Sequence, residues 1–110
     1  MNDEIKYTLG GLFFTWDDNK AVQNWKKHRV DFRLAAEVYL DEHAVDVFDF
    51  VHSDMELRRK VIGSTVGRRN TLFVVYVERE DCEGVELYRL ISARNATGKE
   101  KKTYEHELSR

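Results

Sequence analysis

The spacing of apolar residues changes twice along this chain. Leu12-Phe13-Phe14-Thr15-Trp16 is a short aromatic run of the kind that forms a strand. Asp17 follows as a helix N-cap, and from Lys20 onward Ala21, Trp25 and His28 recur at helical spacing, with Val22 at the edge of the stripe. Arg29-Val30-Asp31 ends that helix. A second, over Phe32 to Leu40, buries Phe32, Ala35, Ala36, Tyr39 and Leu40. At Ala44 the period falls to two, which predicts a strand from Ala44 to Val51 and then a polar loop at His52-Ser53-Asp54. Leu57 to Val66, Thr71 to Arg79 and Val85 to Arg94 predict three more strands, with turns at Gly67 to Asn70 and Glu80 to Gly84. After Ala96 the helical period returns, and Thr97 is placed to cap a helix ending near Leu108. The pattern predicts an α+β fold: a central antiparallel sheet, two helices after the first strand and one C-terminal helix.

Short loops make the last three strands an antiparallel meander. Matching apolar residues on one side sets Ile62 opposite Val74 and Val74 opposite Ser92. One face then carries Phe73, Val75, Val77, Leu87, Ile91 and Ala93 for helices to cover. The other carries Arg58, Lys60, Ile62, Tyr76, Tyr88, Ser92 and Arg94, and is mixed and partly cationic. A slip of one residue would exchange the faces of a strand. Trp16 and Trp25 read as core anchors. Tyr88 and Leu90, exposed beside charged residues, are where a protein partner would anchor.

Composition narrows the reading. The chain has 110 residues, 42% of them hydrophobic and none proline, which fits one folded domain over residues 1–110. No run is long and apolar enough for a transmembrane helix or a signal sequence, so a cytoplasmic protein is expected. Cys82 is the only cysteine, which excludes an internal disulfide, and the acidic run Glu78 to Glu86 around it disfavours a thiolate. A net charge of −2 argues against a general nucleic-acid coat protein but leaves room for a local site. Arg58-Arg59-Lys60 and Arg68-Arg69 concentrate positive charge in the middle of the chain.

Arg89-Leu90-Ile91-Ser92-Ala93-Arg94-Asn95-Ala96 places two arginines and a serine in an otherwise apolar strand pattern. Arginine keeps its charge and presents a planar fork that suits phosphate; the plainer role for Arg94 is to pair with a helix carboxylate such as Glu100. His52 and Glu56 lie just ahead of Arg58. RNA can be cut without metal, because its own 2′-hydroxyl attacks the adjacent phosphorus. That reaction needs groups to orient the attack, move protons and stabilise phosphoryl charge. His52, Glu56, Arg58 and Arg94 are the candidate catalytic set, with Lys60, Tyr76 and Arg79 as RNA contacts. Each also has a structural role open to it: His52 in the loop, Tyr76 as a core aromatic, Lys60 as a guard on an edge strand. The four histidines form no i, i+4 pair, and no glycine-rich phosphate loop or nucleophile elbow is present. Neither metal nor cofactor is expected.

An ordered set of short motifs runs through the chain: Trp16-Asp17-Asp18-Asn19-Lys20-Ala21, Asn24, Lys27-His28, Val30-Asp31-Phe32, His52-Ser53, Glu56-Leu57-Arg58, Ile62-Gly63, Gly67-Arg68, Val74-Val75-Tyr76, then Arg89 to Ala96, Glu100 and Tyr104-Glu105. In this order and spacing they resemble the BrnT family, the toxin half of a bacterial type II toxin–antitoxin system. The resemblance covers about Phe13 to Glu105, with residues 1–10 as an N-terminal extension. It implies a RelE-like fold, ribonuclease activity that blocks translation, and a site on the sheet. It also implies a cognate BrnA-like ribbon-helix-helix antitoxin that brings the pair to DNA. A degenerate toxin, kept as a non-catalytic module for operon repression, is the alternative. The chain departs from the family pattern at helix ends, with Asp18 and Glu42 where proline is usual and Arg29 where glycine is usual.

Overall fold

The computed structural model describes residues 3–48 and 58–109. Strands β1 (Glu4–Leu9) and β2 (Leu12–Asp17) are followed by helix α1 (Asp18–His28) and a short helix α2 (Phe32–Ala36), which tightens into a 3-10 turn over Glu37–Leu40. Then come β3 (Val45–Phe48), β4 (Arg58–Ser64), a 3-10 turn at Val66–Arg68, β5 (Thr71–Glu80), β6 (Glu86–Asn95) and α3 (Gly98–Leu108). The strands form one six-stranded sheet in the order β1-β2-β6-β5-β4-β3. No helix among the described residues is long and apolar enough to cross a membrane.

The α+β class is as the periodicity predicts, but the sheet is mixed. Its neighbours are antiparallel except β2 and β6, which run parallel. The two helices carry the chain from β2 to the far edge at β3. Three antiparallel reversals then bring β6 back alongside β2 in the same direction. The helices also follow the second strand, not the first. Glu4–Leu9 forms a hairpin with β2 through Gly10 and Gly11, both at positive φ (59° and 79°). A two-residue turn with both centres in that region matches the twist of its strands.

The pairing register differs from the expected one by one residue. Ile62 lies opposite Phe73 and Val61 opposite Val74, while Val74 meets Ala93 and Val75 meets Ser92. A bulge between Val75 and Tyr76 then sets Tyr76 opposite Leu90, so β6 changes which of its residues face the core at Ile91. The face covered by α1 and α2 carries Val61, Leu72, Val74, Tyr76, Leu90 and Ala93. Tyr76 and Tyr88 thus lie on the helical side, and Leu90, expected at the surface, is 1% exposed. β5 is apolar on both sides, so alternation alone did not fix its inner face.

Helix α1 is rotated from its expected orientation. Trp25 is 48% exposed and is no core anchor; Ala21, Asn24 and His28 take the inward stripe instead. The cause is Asn24. Its Nδ2 donates to the carbonyls of Val30 (3.0 Å) and Ala93 (2.8 Å), and its Oδ1 accepts from the Ala93 amide at 3.0 Å. Beyond its short pairing with β2, the flank of β6 needs partners for its peptide groups, and one buried amide supplies them. At the end of α1, Arg29 takes the left-handed conformation (φ 58°, ψ 33°) while its amide donates to Trp25 O. In the second helical segment Val38 is buried, whereas Leu40 is exposed. α3 begins where expected, with a capping box between Thr97 and Glu100.

Candidate functional site

The sheet face away from α1 and α2 is only partly covered. α3 closes one end of it over Ile62, Phe73 and Ala96, using Tyr104 and Leu108. At the other end, five strands align in register: Lys6 opposite Thr15, Thr15 opposite Arg89, Arg89 opposite Val77, and Val77 opposite Arg58. Side chains at directly paired positions share a face. The row therefore presents Lys6, Thr15, Arg89, Val77 and Arg58 together. Arg58 and Arg89 are two strands apart, about 10 Å at ordinary strand spacing.

A groove of about 650 Å³ runs across this row, lined by Lys6, Lys20, Arg58, Arg79 and Arg89 as its cations and by Glu4, Glu80 and Asp81 as its carboxylates. The local balance is cationic although the whole chain carries −2. Arg89 is engaged on one side, where its Nη1 donates to Glu4 Oε1. Such a groove is suited to a phosphate backbone.

The sequence-derived candidates separate. Arg58, Lys60, Arg79 and Arg94 share the open face, since each falls on the same alternation of paired strands. Lys60 Nζ lies 5.5 Å from the centre of the Phe73 ring. Arg94 sits opposite Phe73, itself opposite Ile62, about 13 Å further along the strands than the Arg58 row. Its guanidinium donates to both Glu100 oxygens, at 2.8 and 3.0 Å, and stacks 4.1 Å over Phe73. His52 and Glu56 lie outside the described residues.

Tyr76 is the exception in that set, because it faces the helices. Its hydroxyl donates to Asp46 Oδ2 at 2.6 Å, and Asp46 also pairs with Arg59 at 3.2 Å. Tyr39 and Tyr88 pack on its ring, with centroids at 5.2 and 5.8 Å. Burial, then the hydrogen bond to Asp46, pushes the Tyr76 phenol well above its ordinary value. It stays protonated at working pH and cannot serve as a phenolate base. His28, half-buried on α1, is held below its ordinary value by burial, then by Lys27 and Arg94.

Sequence reading missed Arg89 and Lys6 as groove residues. Arg89 was visible in the Arg89–Arg94 segment. Only the β4-β5-β6 register, with its bulge at Val75/Tyr76, reveals that it, rather than Arg94, shares a row with Arg58. Among the described residues no three His, Cys, Asp or Glu side chains gather as metal ligands would.

Comparison with known families places residues 16–100 within the model described as "Ribonuclease toxin, BrnT, of type II toxin-antitoxin system". No curated protein matches the chain.

Proposed function

Starting from the membership of this chain in the BrnT family of ribonuclease toxins of type II toxin–antitoxin systems, we propose that it cuts RNA in the groove across Arg58 and Arg89, without a metal. The family brings an RNA target and an antitoxin partner. The observation that carries the placement is the register row in which Arg58 and Arg89 flank Val77 on the open face.

In this reading a phosphate lies between the two guanidinium groups, whose planar forks match its oxygens. The neighbouring 2′-oxygen attacks phosphorus and forms a 2′-O–P bond. Its proton passes to a base, and the P–O5′ bond breaks as the 5′-oxygen takes up a proton. His52 and Glu56, just ahead of β4 in sequence, are the candidates for these two transfers. The arginines stabilise the charge that grows on the phosphoryl oxygens. Lys60 and Arg79 hold the flanking backbone. Arg94 supports the site by fixing α3 to the sheet, since both of its terminal nitrogens are engaged by Glu100.

The biological reading follows the family. The toxin works in the cytoplasm, blocks translation by cutting RNA, has a RelE-like arrangement with its site on the sheet, and is neutralised by a BrnA-like ribbon-helix-helix antitoxin. The test is digestion of an RNA oligonucleotide by the pure protein, with and without chelator. The expected products carry a 5′-hydroxyl and a 2′,3′-cyclic phosphate, at a rate that chelator leaves unchanged. Products with a 5′-phosphate would overturn the mechanism. A folded protein that binds antitoxin but leaves RNA intact would identify a degenerate toxin.

A further inference from the structure

We propose that β1 completes the RNA groove: Lys6 adds a phosphate contact to those of Arg58 and Arg89, and Glu4 restrains Arg89 until a phosphate displaces it. This rests on the groove being the RNA site.

The family match begins at residue 16, so β1 lies ahead of it. Yet β1 is built into the sheet along its full length, from Glu4 opposite Asp17 to Leu9 opposite Leu12. Its residues alternate strictly. Ile5, Tyr7 and Leu9 pack on the core, while Glu4, Lys6 and Thr8 are exposed. A strand that only extended the core would place no demand on its outer positions. Here Glu4 and Lys6 both line the groove.

Register sets the spacing. Lys6 is two strands from Arg89, and Arg89 is two strands from Arg58, so three cations stand about 10 Å apart along one line. A single strand of RNA laid across the sheet would meet them in turn. Glu4 acts in the opposite sense. Its carboxylate occupies one Arg89 nitrogen and repels phosphate, so RNA must displace it to engage the whole fork.

The measurement is anisotropy of a labelled, fully 2′-O-methylated RNA oligonucleotide, which lacks the attacking hydroxyl, bound by the full chain over a series of salt concentrations. Lys6→Ala is expected to weaken binding several-fold and to reduce the slope of log K against log salt by about 0.7, the share of one phosphate contact on a single strand. Lys6→Arg should restore both. Lys26→Ala removes a cation from α1 that lines the cleft of Trp25 and Phe32, which Lys6 also borders, but not the groove, and should change neither. Glu4→Gln should tighten binding several-fold. If Lys6→Ala keeps the parent slope, or loses no more than Lys26→Ala, the phosphate contact is overturned; unchanged affinity in Glu4→Gln overturns the restraint. A parent that cuts RNA yet shows no dependence on Lys6 refutes this inference alone. A parent that neither cuts nor binds RNA refutes the reading beneath it as well.

Discussion

Arg94 and Glu100 meet through two parallel hydrogen bonds, 2.8 and 3.0 Å long, with the guanidinium stacked 4.1 Å over Phe73. The same carboxylate accepts the Thr97 amide at 2.9 Å. One glutamate thus starts α3 and fastens it to β6. Removing either partner leaves a half-buried charge without its mate. Arg94→Ala and Glu100→Gln should each cost about 1–2 kcal/mol in urea unfolding. A double-mutant cycle should show coupling, and Arg94→Lys should recover only part of the loss because it lacks the fork. Strict additivity would show that the pair contributes nothing together.

Asp41 supplies a pH test. Burial works to raise its carboxyl, but the Ser64 amide (2.8 Å), the Tyr104 hydroxyl (2.6 Å) and the His43 amide (3.0 Å) outweigh it and hold the group below its ordinary value. A folded-state value below the unfolded one gives stability that is present above the unfolded pKa. That stability is lost as pH falls through the folded pKa. Tyr104→Phe should therefore narrow the difference in stability between neutral and acid pH, and cost about 1 kcal/mol at pH 7. Urea midpoints measured from pH 7 down to acid unfolding would reveal it. Parallel curves for parent and variant would count against the linkage.

Arg29 supplies a test of backbone strain. The position ends α1 in the left-handed conformation, where glycine carries no Cβ penalty. Arg29→Gly and Arg29→Ala both lose the guanidinium that lies 5.7 Å from the Trp25 ring. They differ in backbone strain. The glycine variant should be the more stable of the two by about 1 kcal/mol, read from thermal or urea unfolding. Equal stabilities would mean that the turn relaxes when the side chain is lost.

How far the sequence could be read depended on whether each strand or helix had one apolar side or two. α3 and its cap were legible because Thr97 and Glu100 carry a local signal. β4 showed its open face, since Arg58 and Lys60 alternate with Val61. β5 did not, because Leu72, Val74 and Tyr76 on one side look no more apolar than Phe73, Val75 and Val77 on the other. The bulge at Val75/Tyr76 leaves no mark in the alternation, and it turned Tyr88 and Leu90 inward. Trp25 misled for a different reason: the inward position of α1 belongs to a polar residue, Asn24, whose bonds to Ala93 exist only in the folded sheet. The groove itself was half legible. Arg58 and Arg79 were named, whereas Arg89 joins them through the bulged register of β5 with β6, and Lys6 through the pairing of β2 with a distant strand.

The bulged register of β5 with β6 separates two arginines that the sequence treats alike. If phosphate lies between Arg58 and Arg89, removing either donor from a site that stabilises developing charge should cost roughly 3 kcal/mol in the transition state, or about a hundredfold in rate. Arg58→Ala and Arg89→Ala should show that loss in single-turnover cleavage, with stability little changed. Arg58→Lys and Arg89→Lys should recover only part of it, because a point charge replaces a fork. Arg94→Ala should behave differently: unstable, but at a temperature where it remains folded, cutting within about tenfold of the parent. Circular dichroism at the assay temperature separates loss of fold from loss of chemistry. A folded Arg94→Ala protein a hundredfold slower, beside an Arg89→Ala protein at the parent rate, would return the phosphate to Arg94 and move the site toward α3.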